Sequence, residues 1–256
     1  MRRRRWRWVA VGLVLLAGLF VVTDIVLLQY IESRGAREIA RTMSAEGAKV
    51  DLGGFPFIPR FFRGRLTNVT VNVTGASAAG GLRLHSIEAR MMTVRFKPGA
   101  VFALARSSFA TRTKVTADDP FGILEIAEQD LEDFIKRAVP LVGDVEVKGS
   151  GIEVFFKPRI DADLPDRAQE ALDELTEKPA RYLPVVEDGK LVLSLVSVSQ
   201  IDRRFRFDAS RLERLIQLPK IPSGLRTSVS WRDGVVVMEA QGPEVTLTVG
   251  EGEPET

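Results

Sequence analysis

Cysteine is absent from this 256-residue sequence, and histidine occurs once, at His85. Without thiols there can be no disulfide framework and no lipidated cysteine, so stability must come from a packed core. A single imidazole cannot assemble the usual zinc sets. No H-E-x-x-H, G-x-S-x-G or G-x-x-x-x-G-K-[ST] pattern occurs, which removes the common metalloprotease, serine-hydrolase and nucleotide-binding signatures. His85 stands in an alternating run, where a surface or edge histidine is a simpler reading than a catalytic base. Surplus positive charge is missing as well. Of 36 Lys and Arg, five lie within positions 2–7, and of 34 Asp and Glu only Asp24 precedes Gln29, leaving 31 against 33 in the remainder. A body this close to neutral is not a polyanion-binding surface, so no nucleic-acid partner is expected. No metal and no cofactor is implied.

Charge is scarcest over residues 9–28, where Asp24 is the only ionisable side chain and fourteen of twenty residues are Val, Ile, Leu or Phe. A helix of that length spans about 30 Å, the thickness of a hydrocarbon core. Strongly apolar residues at roughly −0.3 to −0.6 kcal/mol each outweigh at most about +3 kcal/mol for one aspartate, so membrane insertion is favoured. The preceding Arg2, Arg3, Arg4, Arg5 and Arg7 form a basic tail over residues 1–8 that the positive-inside rule keeps in the cytoplasm, with Trp6 and Trp8 at the interface. The body then lies outside the plasma membrane as a single-pass protein. The rival is a cleaved signal peptide, for which Ser33-Arg34-Gly35 is the nearest small-x-small site. Both readings give an extracytoplasmic body.

Residues 32–47 have the spacing of a short amphipathic helix, and then the pattern turns to strands. In "RLTNVTVNVT", Thr67, Val69, Val71 and Val73 alternate with Asn68, Thr70, Asn72 and Thr74, as in a sheet with one wet face. The following "GLRLHSIEARMMTVRF" changes phase twice, which suggests β-bulges in a long, bent strand. Helical spacing predicts an amphipathic helix over 124–139 and another beginning near Pro165, and Ser210 could cap a third. Asp188-Gly189 and Asp233-Gly234 are hairpin turn signals. The expected organisation is α+β, with one domain of long antiparallel strands over 29–249 and a disordered tail over 250–256.

Two features hold candidate chemistry. Asp161 and Asp163 would share a strand face and could act as a hydrolase pair or hold calcium, although a plain wet face opposite Ile160 and Ala162 explains them more simply. Asn68 and Asn72 match the N-glycosylation pattern, as alternating Asn and Thr will by chance. The more unusual stretch is "GGFPFIPRFFRG", Gly53 to Gly64, with four of the chain's fourteen phenylalanines in twelve residues. Pro56 and Pro59 argue for a shaped loop or edge rather than a helix or central strand. Its rings either plug the end of the core or meet lipid, with Arg60, Arg63 and Arg65 available to phosphates.

"VDLGGFPFIPRFFRGRLTNVTVNV", "GGLRLHSIEARMMTVRF", the acidic helix after "TKVTADDP" and the closing "LPKIPSGLRTSVSWRDGVVVMEAQGPEVTLTV" together resemble the LmeA-like phospholipid-binding proteins of actinobacteria. That resemblance implies a long curved sheet wrapped around helices, as in tubular lipid-binding folds, and an apolar cavity for phospholipid acyl chains, notably of the phosphatidylinositol type. It also implies a role beside lipomannan elongation, without catalysis. Phe55, Phe57, Ile58, Phe61 and Phe62 become candidate lipid-binding residues, and Arg60, Arg63 and Arg65 candidates for the headgroup or membrane surface. Phe55 and Phe57 are expected to pack inward and Phe61 and Phe62 to face lipid or membrane beside Arg60 and Arg63. The alternatives are an envelope scaffold docked on a membrane glycosyltransferase, and a hydrolase using Asp161 and Asp163.

Overall fold

The computed structural model describes residues 2–78, 81–99, 113–138, 142–148, 151–156, 179–187, 190–197 and 224–249. One helix, α1 (Arg2–Thr42), runs unbroken through both the apolar segment and the amphipathic segment after it. The two were expected to be separate, but no proline interrupts residues 29–42, so nothing stops the ladder, and 41 residues at 1.5 Å each give about 60 Å. The helix ends at Thr42, short of the Gly47 that the sequence suggested. There Met43 N–H bonds back to Ile39 at 2.9 Å, and Ser44 turns with φ 48°.

The chain then reverses. Strand β1 (Gly47–Asp51) leads through a short loop to α2 (Phe57–Phe62) and into the ribbon of β2 (Arg65–Ser77) and β3 (Arg83–Arg95). After these come β4 (Thr113–Asp118), β5 (Phe121–Ala127), α3 (Glu128–Ala138), β6 (Val142–Lys148), β7 (Gly151–Phe156), β8 (Ala180–Glu187) and β9 (Lys190–Ser197). The last three are β10 (Arg226–Arg232), β11 (Val235–Gln241) and β12 (Glu244–Val249). All pairings are antiparallel. The larger sheet runs β1-β2-β3-β5-β11-β10, with β4 on the far end of β3 and β12 on β4. A second sheet runs β6-β7-β8-β9. The architecture is α+β, an N-terminal apolar helix followed by a large antiparallel sheet that does not close, and few helices.

The phase changes in β3 have a cause other than inserted residues. Pairing with β2 keeps one register from Arg65↔Arg95 through Thr74↔Ser86 to Ser77↔Arg83, so there is no bulge. Instead β2 enters the left-handed region at Asn68 (φ 55°) and Gly75 (φ 62°), opposite Met92 and His85. At those two points the inward face changes from Leu66 to Val69 and from Val73 to Ala76 in β2, and from Val94 to Met91 and from Ile87 to Leu84 in β3. His85 itself is exposed.

Residues 124–127, expected to open a helix, finish strand β5. Leu124 pairs with Ile87 on one side and Met238 on the other, and two flanking strands override a helical spacing that four residues carry only weakly. The helix begins at Glu128, with Glu128 and Asp130 in its first turn. It is pinned to β6: Glu132 accepts the Val147 N–H at 3.0 Å, and Lys136 meets Asp144 at 2.7 Å. That hydrogen bond raises the Lys136 pKa, and together with the bond from Val145 N–H it lowers that of Asp144. Asp233 (φ 47°) and Gly234 (φ 78°) make the tight β10–β11 turn that their dipeptide predicts.

Among the described residues, two cores lie along the ribbon. Val73, Leu84, Ile126, Leu131, Ile152 and Val236 centre the one that joins both sheets and α3. Phe57, Phe61, Leu66, Val69, Val94 and Val245 form the other. Helix α1 serves both, with Leu27, Leu28 and Ile31 against the second and Ile39 and Met43 against the first. Asp161 and Asp163, the helices predicted near Pro165 and Ser210, the Asp188-Gly189 turn and the tail over 250–256 lie outside the described residues.

Candidate functional site

The aromatic stretch folds where α1 meets the second core. Residues 57–62 are helical after all. Proline is tolerated because Pro56 is the N-cap and Pro59 falls in the first turn, where backbone N–H groups have no partner within the helix to lose. Glycines frame it. Gly53 (φ 64°) lies so close to β2 that a Cβ would stand 1.9 Å from the Thr67 carbonyl oxygen. Gly64 (φ 70°) closes the helix, and a Cβ there would stand 2.1 Å from the Phe96 carbonyl oxygen.

The N-terminus of α2 is capped from an unexpected quarter. Pro56 provides no side-chain cap. Its place is taken by Asp24, the lone acid of the apolar run, whose two carboxyl oxygens accept the N–H groups of Phe57 at 2.7 Å and Ile58 at 2.6 Å. Asp24 is fully buried. Two turns further along α1, Glu32 accepts the Leu52 N–H at 2.9 Å. Both ends of the loop between β1 and α2 are therefore held by carboxyl groups of one helix.

A helical α2 decides where the rings go. Positions four apart share a helix face, so Phe57 and Phe61 point inward together, with centroids 5.4 Å apart, and Phe61 lies a further 5.4 Å from Phe96. Phe62 turns outward, edge-on to Phe61 and 62% exposed. Phe55, before the helix begins, is 56% exposed. The expected inward direction holds for Phe57 and the outward one for Phe62, while Phe55 and Phe61 are reversed, because reading the prolines as breakers hid the i, i+4 pair. Ile58 is half-buried against the same core.

The arginines divide in the same way. Arg60 folds back over the loop: its Nε donates to the Pro56 carbonyl at 2.8 Å, one terminal nitrogen to Thr67 Oγ1 at 2.5 Å, and the other to the carbonyls of Gly53 at 3.0 Å and of Gly54. Four of the five guanidinium N–H donors are used in this way. Arg63 and Arg65 are exposed at the other end of α2. The outer face of α1 is apolar, with Leu15, Leu16, Leu19, Val22 and Val26 all more than half exposed. The segment Leu15–Thr42 contains a stretch long and apolar enough to cross a membrane. A separate open cleft is lined by Arg83, Asp130, Asp133, Lys136 and Arg137; its mixed charge suits water and polar groups rather than acyl chains.

Sequence reasoning missed Asp24 as a site residue, counting it only as a penalty on insertion. Its signal was present, since Asp24, Leu27, Leu28 and Ile31 recur at helical spacing on one stripe. A family model described as LmeA-like phospholipid-binding matches residues 22–241, which takes in Asp24 and the whole corner. No curated protein and no solved structure matches the chain.

Proposed function

Because the chain belongs to the LmeA-like phospholipid-binding family, we propose that it is a non-catalytic, membrane-tethered protein of the cell envelope that binds phospholipid where α1 meets α2. The observation that carries this reading is the pair of exposed rings, Phe55 and Phe62, set beside a bare apolar helix, with exposed Arg63 and Arg65 just after α2. Apolar rings next to cationic side chains suit a ligand with acyl chains and a phosphate. Phe57 and Phe61 form the wall behind that surface, and Arg60 keeps the wall closed. The five arginines at positions 2–7 support a cytoplasmic tail and an outside body, by the preference of basic residues for the inner side. A phosphatidylinositol-type ligand, and support of lipomannan-type glycolipid synthesis or lipid transfer, are the finer parts of this proposal.

Native mass spectrometry of the full chain released from detergent micelles tests this reading. A retained phospholipid mass is expected, weakened in Phe62→Ser. A chain that is bare under every detergent condition, and that takes up no added phospholipid, would overturn it.

A further inference from the structure

Asp24 fixes the depth of the site. Tyr30 is half-exposed and accepts a hydrogen bond from Arg34 at 3.0 Å, an aromatic and a cation suited to the outer membrane interface. Toward the N-terminus from Tyr30, the exposed side chains of α1 are apolar from Val26 to Leu15, apart from Thr23, whose hydroxyl bonds back to the Leu19 carbonyl at 2.8 Å. Asp24 stands six residues before Tyr30, about 9 Å deeper along the helix. A polar side chain at that level is stable only if protein encloses it and satisfies it. Both conditions hold, with no exposed surface and two short bonds from the start of α2. The start of α2 therefore sits at the level of Asp24 and not above the interface. Phe55, two residues before the bonded N–H of Phe57, lies within about 7 Å of that level by chain reach alone.

We propose that the corner of α1 and α2 is a wedge inserted in the outer leaflet of a phospholipid bilayer, with Phe55 below the phosphate plane, Phe62 against acyl chains, and Arg63 and Arg65 turned to the phosphates. This rests on the membrane-tethered reading and deepens it: lipid is met sideways, within the leaflet, and not drawn from water. It also makes α1 a retained part of the body. Cleavage at Ser33-Arg34-Gly35 would remove Asp24, Glu32 and the core residues Leu27, Leu28 and Ile31.

The absence of cysteine allows a direct test. Phe55→Cys, Val22→Cys and His85→Cys are each made in the full chain, labelled with a nitroxide and reconstituted in phosphatidylcholine–phosphatidylglycerol vesicles. Relaxation by oxygen is then compared with relaxation by a water-soluble nickel chelate. The Phe55 label is expected to favour oxygen as the Val22 label does, while the His85 label favours nickel. If the Phe55 variant fails to fold, Phe62→Cys takes its place with the same expectation. A label at 55 or 62 that behaves like the one at 85 overturns the wedge. If phospholipid is still retained in that case, binding survives and only the insertion fails. If the label is sheltered but no phospholipid is ever retained, the wedge stands and the binding reading falls.

Discussion

Asp24 and Phe57 stand 33 residues apart in the chain and 2.7 Å apart in space, a carboxyl oxygen of the apolar helix accepting the first N–H of α2. That bond and its neighbour to Ile58 turn the apolar N-terminal helix into a structural member of the folded body. Removing the carboxyl leaves one buried and one part-buried donor unsatisfied, at about 1–3 kcal/mol each. Asp24→Ala is therefore expected to destabilise the protein by about 2–5 kcal/mol, with Asp24→Asn intermediate because its one carbonyl oxygen can serve one donor. Chemical denaturation of the detergent-solubilised full chain checks the order.

Phe57 and Phe62 should separate stability from binding. Phe57 is fully buried, so Phe57→Ala is expected to cost about 3–5 kcal/mol. Phe62 is 62% exposed, and Phe62→Ala should cost only about 0.5–1.5 kcal/mol, the scale of its edge-on contact with Phe61. Phospholipid retention should nevertheless fall in Phe62→Ala. Paired unfolding and lipid-retention measurements on both variants read the contrast.

Among the arginines, only some are expected to affect lipid preference. Arg60 is engaged on the Pro56, Gly53 and Gly54 carbonyls and on Thr67, a fork that lysine cannot reproduce. Arg60→Lys should loosen the loop and raise proteolytic nicking near Gly53 and Gly54, without a selective change between anionic and neutral lipids. Arg63→Gln and Arg65→Gln should leave the loop intact. Each should lower the preference for anionic over zwitterionic phospholipid by about fivefold, the equivalent of about 1 kcal/mol per cation at a membrane surface. Competition between the two lipid classes in native mass spectra distinguishes these outcomes.

Between α3 and β6, the Lys136–Asp144 bond gives a pH signature. The Asp144 pKa is lowered by the Lys136 hydrogen bond and then by the Val145 N–H. A depressed carboxyl pKa stabilises the fold above the ordinary value of 3.8, and that stability is lost as pH falls through the folded value. The raised pKa of Lys136 works on the alkaline side: its contribution is full below 10.5 and is lost as pH rises through the folded value. Lys136→Met should return the Asp144 titration toward 3.8 in an NMR pH series. Because the pair is largely solvent-exposed, the effect on global stability should be small.

Much of this was legible in the sequence, and the exceptions share a physical form. The apolar helix, the alternating β2–β3 ribbon and the Asp233-Gly234 turn are local patterns, and local patterns were enough. The phase changes of β3 were also visible, but their cause lies across the ribbon, at Asn68 and Gly75 of the partner strand. Leu124 and Ile126 fit a strand and a helix equally well until β3 and β11 are known to flank them. The rings of the Gly53-to-Gly64 stretch stood out as a candidate site, yet their directions depended on a helix six residues long that its own prolines concealed. Asp24 needed a partner supplied from a different segment of chain, which no window of sequence displays.

Photocrosslinking tests phospholipid binding at this corner most directly. The full chain in phospholipid vesicles is irradiated with a phospholipid bearing a diazirine on its acyl chain, and the adducts are mapped by peptide mass spectrometry. Binding at the corner predicts adducts on the peptide carrying Phe55 and Phe62 as well as on α1, competed by unlabelled phospholipid and reduced in Phe62→Ser. Adducts confined to the exposed face of α1, indifferent to competitor, would contradict it, because any plain membrane span would give the same result.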